Sequence, residues 1–386
     1  TRAGYQTQLI SKTHWQVEPS FRAGFEGVVD LERDGNPLWR ERLIKSGRET
    51  LLSGVGANEL HPTASLFPTE LNSSQWITDR CLEFLESRDR TVPFFLHASY
   101  TEPHPPNVIH EPYYSMYDTD AVPEPHTAGW AEDDVSPQAV YAQKWSKNPT
   151  QMKPAELRKA RSVYYGTITH LDHQLGRLIG RLMGRGLWDD TLVIYMTDHG
   201  EMLGDFGCFA KSNFLEPAAR LPFIVKWPCG IDAEPGRVSD ALVGPCDILP
   251  TLCDFAGVDA PGDISGKSFR GIVEGRDTAI RDRYHGEVNG SHMLHDGEHK
   301  YLYFSQDGKE LLFNVQQDRT DTNNLAGDTR LLDSMRKRLI DHLEQEQHEH
   351  VKNGTLHNEN RQKLPVNRRR AHAGSGLAWA GRGYRG

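Results

Sequence analysis

Thr191-Leu-Val-Ile-Tyr-Met-Thr-Asp-His-Gly-Glu-Met-Leu-Gly204 is the stretch on which the fold turns. It opens as a β-branched, apolar run, the pattern of a short buried strand, and breaks into polar residues and glycines. Upstream, Pro154 to Arg185 places Tyr164, Ile168, Leu171, Leu175, Leu178, Ile179 and Leu182 mainly three and four residues apart. That spacing predicts a long amphipathic helix, and Gly186 stops it. Downstream, Pro222-Phe-Ile-Val-Lys-Trp227 reads as another strand. Helix, strand, loop and strand in this rhythm predict a doubly wound α/β layer.

Further from this stretch, Thr7–Ile10 and Val92–Ala98 read as strands, the second an interior parallel one. Ser73 or Ser74 is placed to cap a helix running to about Arg88, and Asp247–Ala256 reads as a short helix. After residue 278 the texture changes to short strand-like runs, His299–Phe304 and Leu311–Asn314, then a helix over Arg330–Glu344. The expected layout is a main α/β domain over 1–278, a small α+β domain over 279–360, and a basic, Gly-rich tail over 361–386.

The chain has 386 residues, and its 8 Trp, 13 Tyr and 14 Phe supply a core that a disordered chain would not carry. A net charge of −9 argues against sequence-independent nucleic-acid binding. No apolar run approaches the ~20 residues of a membrane-spanning helix. The 5 Cys have no C-x-x-C spacing and make no disulfide framework.

Three polar clusters each follow a predicted strand. Asp198 and His199 stand at the carboxyl end of Thr191–Met196, where open α/β sheets collect their ligands. A carboxylate beside an imidazole suits a divalent cation. Lys211, in the following loop, could neutralise charge on a transferring group. Lys12 and His14, two apart, would share one side if the segment stays extended, pairing a fixed charge with a proton carrier. His104, in Thr101-Glu-Pro-His-Pro-Pro106, is braced by prolines and could protonate a leaving oxygen. Each motif alone has a plainer reading: a capping Asp beside a surface His, a polar strand end, a rigid turn. His170 and His173 read as a solvated helix face rather than a metal site, and His342, His348 and His350 as solvated charge-pattern residues near the end of the C-terminal helix.

Taken as a set, these segments resemble the type I sulfatases of the alkaline phosphatase superfamily. Ala3-Gly-Tyr-Gln-Thr7 through Lys12-Thr-His14 is similar to A-G-Y-x-T…G-K-x-H, with Ser11 where the family usually has Gly. Thr101–Pro106 resembles the P-H-x-P loop. Thr197–Gly200 with Lys211, Glu216, Arg220 and Pro222 resembles (S/T)-D-(N/H)-G…K…E…R-x-P. Cys246–Thr251 through Gly257 and Leu311–Leu325 resemble the family's later elements.

The resemblance implies an alkaline-phosphatase-like, mostly parallel sheet flanked by helices, with a smaller C-terminal α+β domain. It implies that Lys12 and Lys211 hold sulfate oxygens, that His14 assists the nucleophile, and that His104 faces the leaving group. Asp198 and His199 would ligate the cation, usually calcium, with manganese the alternative. The implied partner is a small-molecule or carbohydrate sulfate ester. The family's formylglycine motif, C/S-x-P-x-R, is absent from this sequence and lies upstream of K-x-H in the family. The expectation is therefore an N-terminally truncated chain without turnover of its own. A phosphonate monoester or phosphodiester hydrolase, or a non-catalytic remnant, remain the alternatives.

Overall fold

The computed structural model describes residues 3–11, 22–29, 60–65, 69–132 and 152–357. Lys12, His14 and the basic tail 361–386 lie outside the described residues. The chain divides into two compact units, the first holding residues 1–124 and 152–189, the second 125–151 and 190–371.

In the first unit the elements are β1 (Gln6–Ser11), β2 (Gly27–Val29), β3 (Thr63–Ala64), α1 (Ser73–Ser87), β4 (Phe94–Ser99), β5 (Val108–Ile109) and α2 (Pro154–Gly184). Strands β2, β1 and β4 form a parallel sheet in that order, with Gln6 opposite Phe94 and Ser11 opposite Ser99. Alternate residues of β4, Phe94, Leu96 and Ala98, pack with Ile10 against Trp76, Ile77, Cys81, Phe84 and Leu85 of α1 and Leu182 of α2. The 31-residue α2 starts with Pro154 in its first turn, where the missing N–H costs nothing. The cap of α1 is Asn72, not a serine: its side chain accepts from the amides of Ser74 and Gln75.

The second unit runs β6 (Val193–Met196), α3 (Glu216–Ala219), β7 (Phe223–Lys226), α4 (Ile248–Ala256), α5 (Arg270–Val273), β8 (Tyr284–Val288), β9 (Ser291–His295), β10 (His299–Phe304), β11 (Lys309–Asn314), α6 (Thr329–Gln345), β12 (Val351–Lys352) and β13 (Thr355–Leu356). Strands β6 and β7 pair antiparallel, Met196 opposite Phe223. Strands β8 to β11 form an antiparallel sheet of order β11-β10-β9-β8.

Both faces of that sheet are covered. Met293, Leu302, Phe304, Leu311 and Phe313 point to one face and meet Met202, Phe206, Cys208 and Leu215 from the loop after β6. Leu294, Tyr301, Tyr303 and Leu312 point to the other and meet Leu332, Met335, Leu339 and Leu343 of α6. The period-2 alternation of strands and the helical spacing of α6 explain the division.

Strands β8 and β9 are not among the sequence expectations. Each carries several polar residues, yet Asn289 and Gly290 between them both adopt positive φ (50° and 75°), the backbone of a two-residue hairpin turn. Cys81 and Cys208 are buried, and burial pushes both thiols up to about 12, so they act as small hydrophobes.

Candidate active site

His104 belongs to the first unit and sits on the loop after β4. Its Nδ1 lies 2.8 Å from the Pro105 carbonyl oxygen, so Nδ1–H donates to that carbonyl. The loop is tied down two residues earlier. Glu102 accepts from Asn72 Nδ2 and Ser74 Oγ, each at 2.7 Å. The same carboxylate is 3.3 Å from His170 Nδ1 on α2. Arg177 donates to Gln174 Oε1, which turns the Gln174 amide nitrogen toward His170 Nε2 and assigns the His170 ring proton to Nδ1, facing Glu102. His170 is therefore wholly buried and structural, a correction to its reading as a solvated helix residue. Its neighbour His173 keeps an exposed partner, the Tyr113 hydroxyl.

Asp198 and His199 belong to the second unit and follow β6 directly. Asp198 Oδ2 and His199 Nε2 stand 3.6 Å apart. His199 Nδ1 is 2.8 Å from the Gly200 carbonyl, which holds the ring and leaves Nε2 as its ligand atom. Two donors at this separation fit adjacent positions around one divalent cation, whose oxygen ligands sit at about 2.3–2.6 Å when it is calcium. As two donors only, they supply part of a coordination shell.

Gly200 is required here by contact. A Cβ on it would lie 2.0 Å from the Pro217 carbonyl oxygen, because Gly200 and Glu201 donate to Ala218 and Pro217 of α3. The loop then folds back on itself. Met202 donates to Ala210, Gly204 to Cys208, and Glu201 Oε1 accepts from the amides of Leu203 and Ala210. Burial pushes the Glu201 carboxyl up, while those two amides and the charge of Lys211 pull it back. The field of Lys211 thus reaches a carboxylate three residues from Asp198.

Behind this loop lies a buried ion network. Lys300 Nζ contacts Glu216 Oε1 at 2.6 Å and Asp321 Oδ2 at 2.7 Å, and the Glu216 amide donates to Asp321. Burial raises the Asp321 carboxyl to about 6 despite the adjacent ammonium. Arg220 reaches Glu216 from the outside, at 3.9 Å. The Glu216 and Arg220 of the sequence motif therefore brace the loop from behind.

His342, His348 and His350, expected to be solvated, are not. His350 is buried, His342 and His348 are partly so, and with His285 and the buried His292 they form an aromatic cluster. The hairpin turn Asn289-Gly290 and the spacing His348-Glu-His350 were the available signals.

A parallel sheet packed by helices, with a covered antiparallel sheet later in the chain, makes this a mixed α/β fold. In fold, the chain is similar to a phosphonate monoester hydrolase of Silicibacter pomeroyi, at TM-score 0.75 and 24% identity over 89% of this chain and 78% of that one. The sulfatase family model matches residues 1–258, and the model of the N-sulphoglucosamine sulphohydrolase C-terminal region matches residues 204–349. An arylsulfatase of Clostridium perfringens is 30% identical over 371 residues, covering 89% of this chain and 76% of that protein. An N-acetylglucosamine-6-O-sulfatase of Bacteroides thetaiotaomicron is 24% identical, covering 91% and 72%. The chain belongs to the sulfatase family, whose members hydrolyse sulfate esters with a divalent metal.

Proposed function

We propose that Asp198, His199, Lys211 and His104, with Lys12 and His14, surround one sulfate group in the working enzyme. The carrying observation is the 3.6 Å approach of Asp198 Oδ2 to His199 Nε2 at a strand end. Asp198 and His199 would hold a divalent cation, Ca2+ first and Mn2+ second, which would neutralise the sulfate oxygens. Lys211 and Lys12 would bind the same oxygens as fixed charges. His104 would give its proton to the leaving oxygen, and His14 would move a proton at the attacking group. The family's formylglycine supplies that attacking group, and its motif is not in this sequence.

The favoured substrate is a sulfated carbohydrate, in keeping with the N-acetylglucosamine-6-O-sulfatase likeness and the match to the sulphoglucosamine sulphohydrolase model.

The test uses the protein translated from its full reading frame. Turnover of aryl sulfate, of N-acetylglucosamine 6-sulfate and of an aryl phosphodiester is measured before and after chelation and Ca2+ or Mn2+ return. Sulfate release restored by Ca2+, and reduced about 10²–10³-fold in Lys211→Ala, is expected. Fast diester cleavage beside negligible sulfate release overturns the reading in favour of a phosphodiesterase.

A further inference from the structure

The cluster on the C-terminal sheet has the donors of a metal site that the sulfatase reaction does not use. Glu287 and His292 face each other across the β8–β9 ladder and so share the face that α6 covers. His348 and His350 come from the segment after α6. One donor atom from each of the four residues lies within 4.8 Å of the others. His292 Nε2 is 2.7 Å from His350 Nδ1, and His348 Nε2 is 3.0 Å from Glu287 Oε2.

The backbone delivers these side chains in a defined way. The turn at Asn289-Gly290 sets the register that puts Glu287 opposite His292. At the end of α6, Gln347 takes φ 55°, with its amide on Glu344 and the His348 amide on Leu343. That is a Schellman stop built without the usual glycine, and it turns His348 back onto the sheet. His350 follows two residues later and is buried.

We infer that Glu287, His292, His348 and His350 form a tetrahedral binding site for a divalent transition metal of the zinc class. Three imidazoles and one carboxylate are a borderline donor set, suited to Zn2+ and poorly suited to Ca2+. A tetrahedral Zn2+ with bonds near 2.0–2.1 Å keeps its ligands about 3.3 Å apart. The closest pair must therefore open by about 0.6 Å and the widest must close, within reach of side-chain rotation. With His292 Nε2 on the metal, its Nδ1–H donates to His285 Nε2, 3.2 Å away, the outer hydrogen bond that orients a ligating imidazole. His348 would shift its ring proton to Nδ1 and give up a 3.2 Å bond from the His350 amide. Burial, then the facing histidines, pushes His292 down to about 3, so its ring is neutral at pH 7 and its lone pair is available. The bound ion would pin the β8–β9 hairpin to the end of α6.

The experiment titrates the chelator-treated full chain with Zn2+ and separately with Co2+, following metal content after dialysis, melting temperature, and the visible absorption of tetrahedral Co2+. The expected result is retention of about one Zn2+ equivalent by the cluster, a raised Tm and a tetrahedral Co2+ spectrum. All three should be lost in His348→Gln, a partly exposed position that leaves the buried rings in place, and in Glu287→Gln/His348→Gln. They should persist in Asp198→Asn/His199→Gln. No Zn2+ uptake by the parent chain, uptake unchanged in both cluster variants, or uptake lost only in the Asp198→Asn/His199→Gln chain, overturns the site.

Discussion

Two loops carry the described catalytic candidates, and they are held in opposite ways. The His104 loop is fixed from outside: Glu102 takes hydrogen bonds from the cap of α1 and lies against a buried histidine on α2, 68 residues further along the chain. The Asp198–Lys211 loop is fixed largely from within: Glu201 takes the amides of Leu203 and Ala210, and the turn closes through its own backbone. The same residue type does both tasks, through side-chain donors in one case and main-chain donors in the other. The first loop therefore depends on helix packing in its unit. The second depends on its own turns and on what supports it from below.

The sharpest way to break this contrast is to remove the support. Lys300→Ala leaves Glu216 and Asp321 buried without their cation, and stability measured by urea unfolding should fall by about 3–5 kcal/mol. The amides around Glu201 should lose hydrogen-exchange protection first, while those around Glu102 keep theirs. Equal loss in both loops would refute the separation.

Gly200→Ala forces a methyl group into the Pro217 carbonyl and should cost about 1–3 kcal/mol in thermal unfolding. It should also weaken cation binding, read by calorimetry, because His199 is anchored on the Gly200 carbonyl.

Glu102→Ala strands three donors of the first unit and should cost about 1–3 kcal/mol, with Glu102→Gln recovering part. The His104 loop should become the first protease-sensitive site, and cation affinity should not change.

The smallest effect concerns pH. Asp321 binds its proton more tightly folded than unfolded, so its contribution is full below about 3.9 and is lost as pH rises through about 6. Asp321→Asn should flatten that part of the stability profile between pH 4 and pH 7, measured by urea unfolding at each pH.

What the sequence revealed follows the strength of local patterning. The β-branched run ending at Met196 and the three- and four-residue spacing of α2 announce their elements because side-chain burial enforces the period. The pairing of Asp198 with His199 was legible because adjacent residues after a strand must lie together. Glu102, Glu201 and Lys300 were not legible: their roles come from partners brought in by tertiary packing. The clustered histidines were missed for the same reason. His285 and His292 sit on a hairpin of mixed polarity, and His348 and His350 resemble a charged helix end until the chain folds back.

The C-terminal sheet is greasy on both sides, and one of its two covers is the very loop that carries Lys211. Cutting the gene between the α/β part and this sheet would leave one product with a sticky, unclad surface and the other without a floor for the loop after β6. Engineers wishing to retune substrate choice would do better to graft new segments at the strand-connecting turns than to swap the whole C-terminal portion.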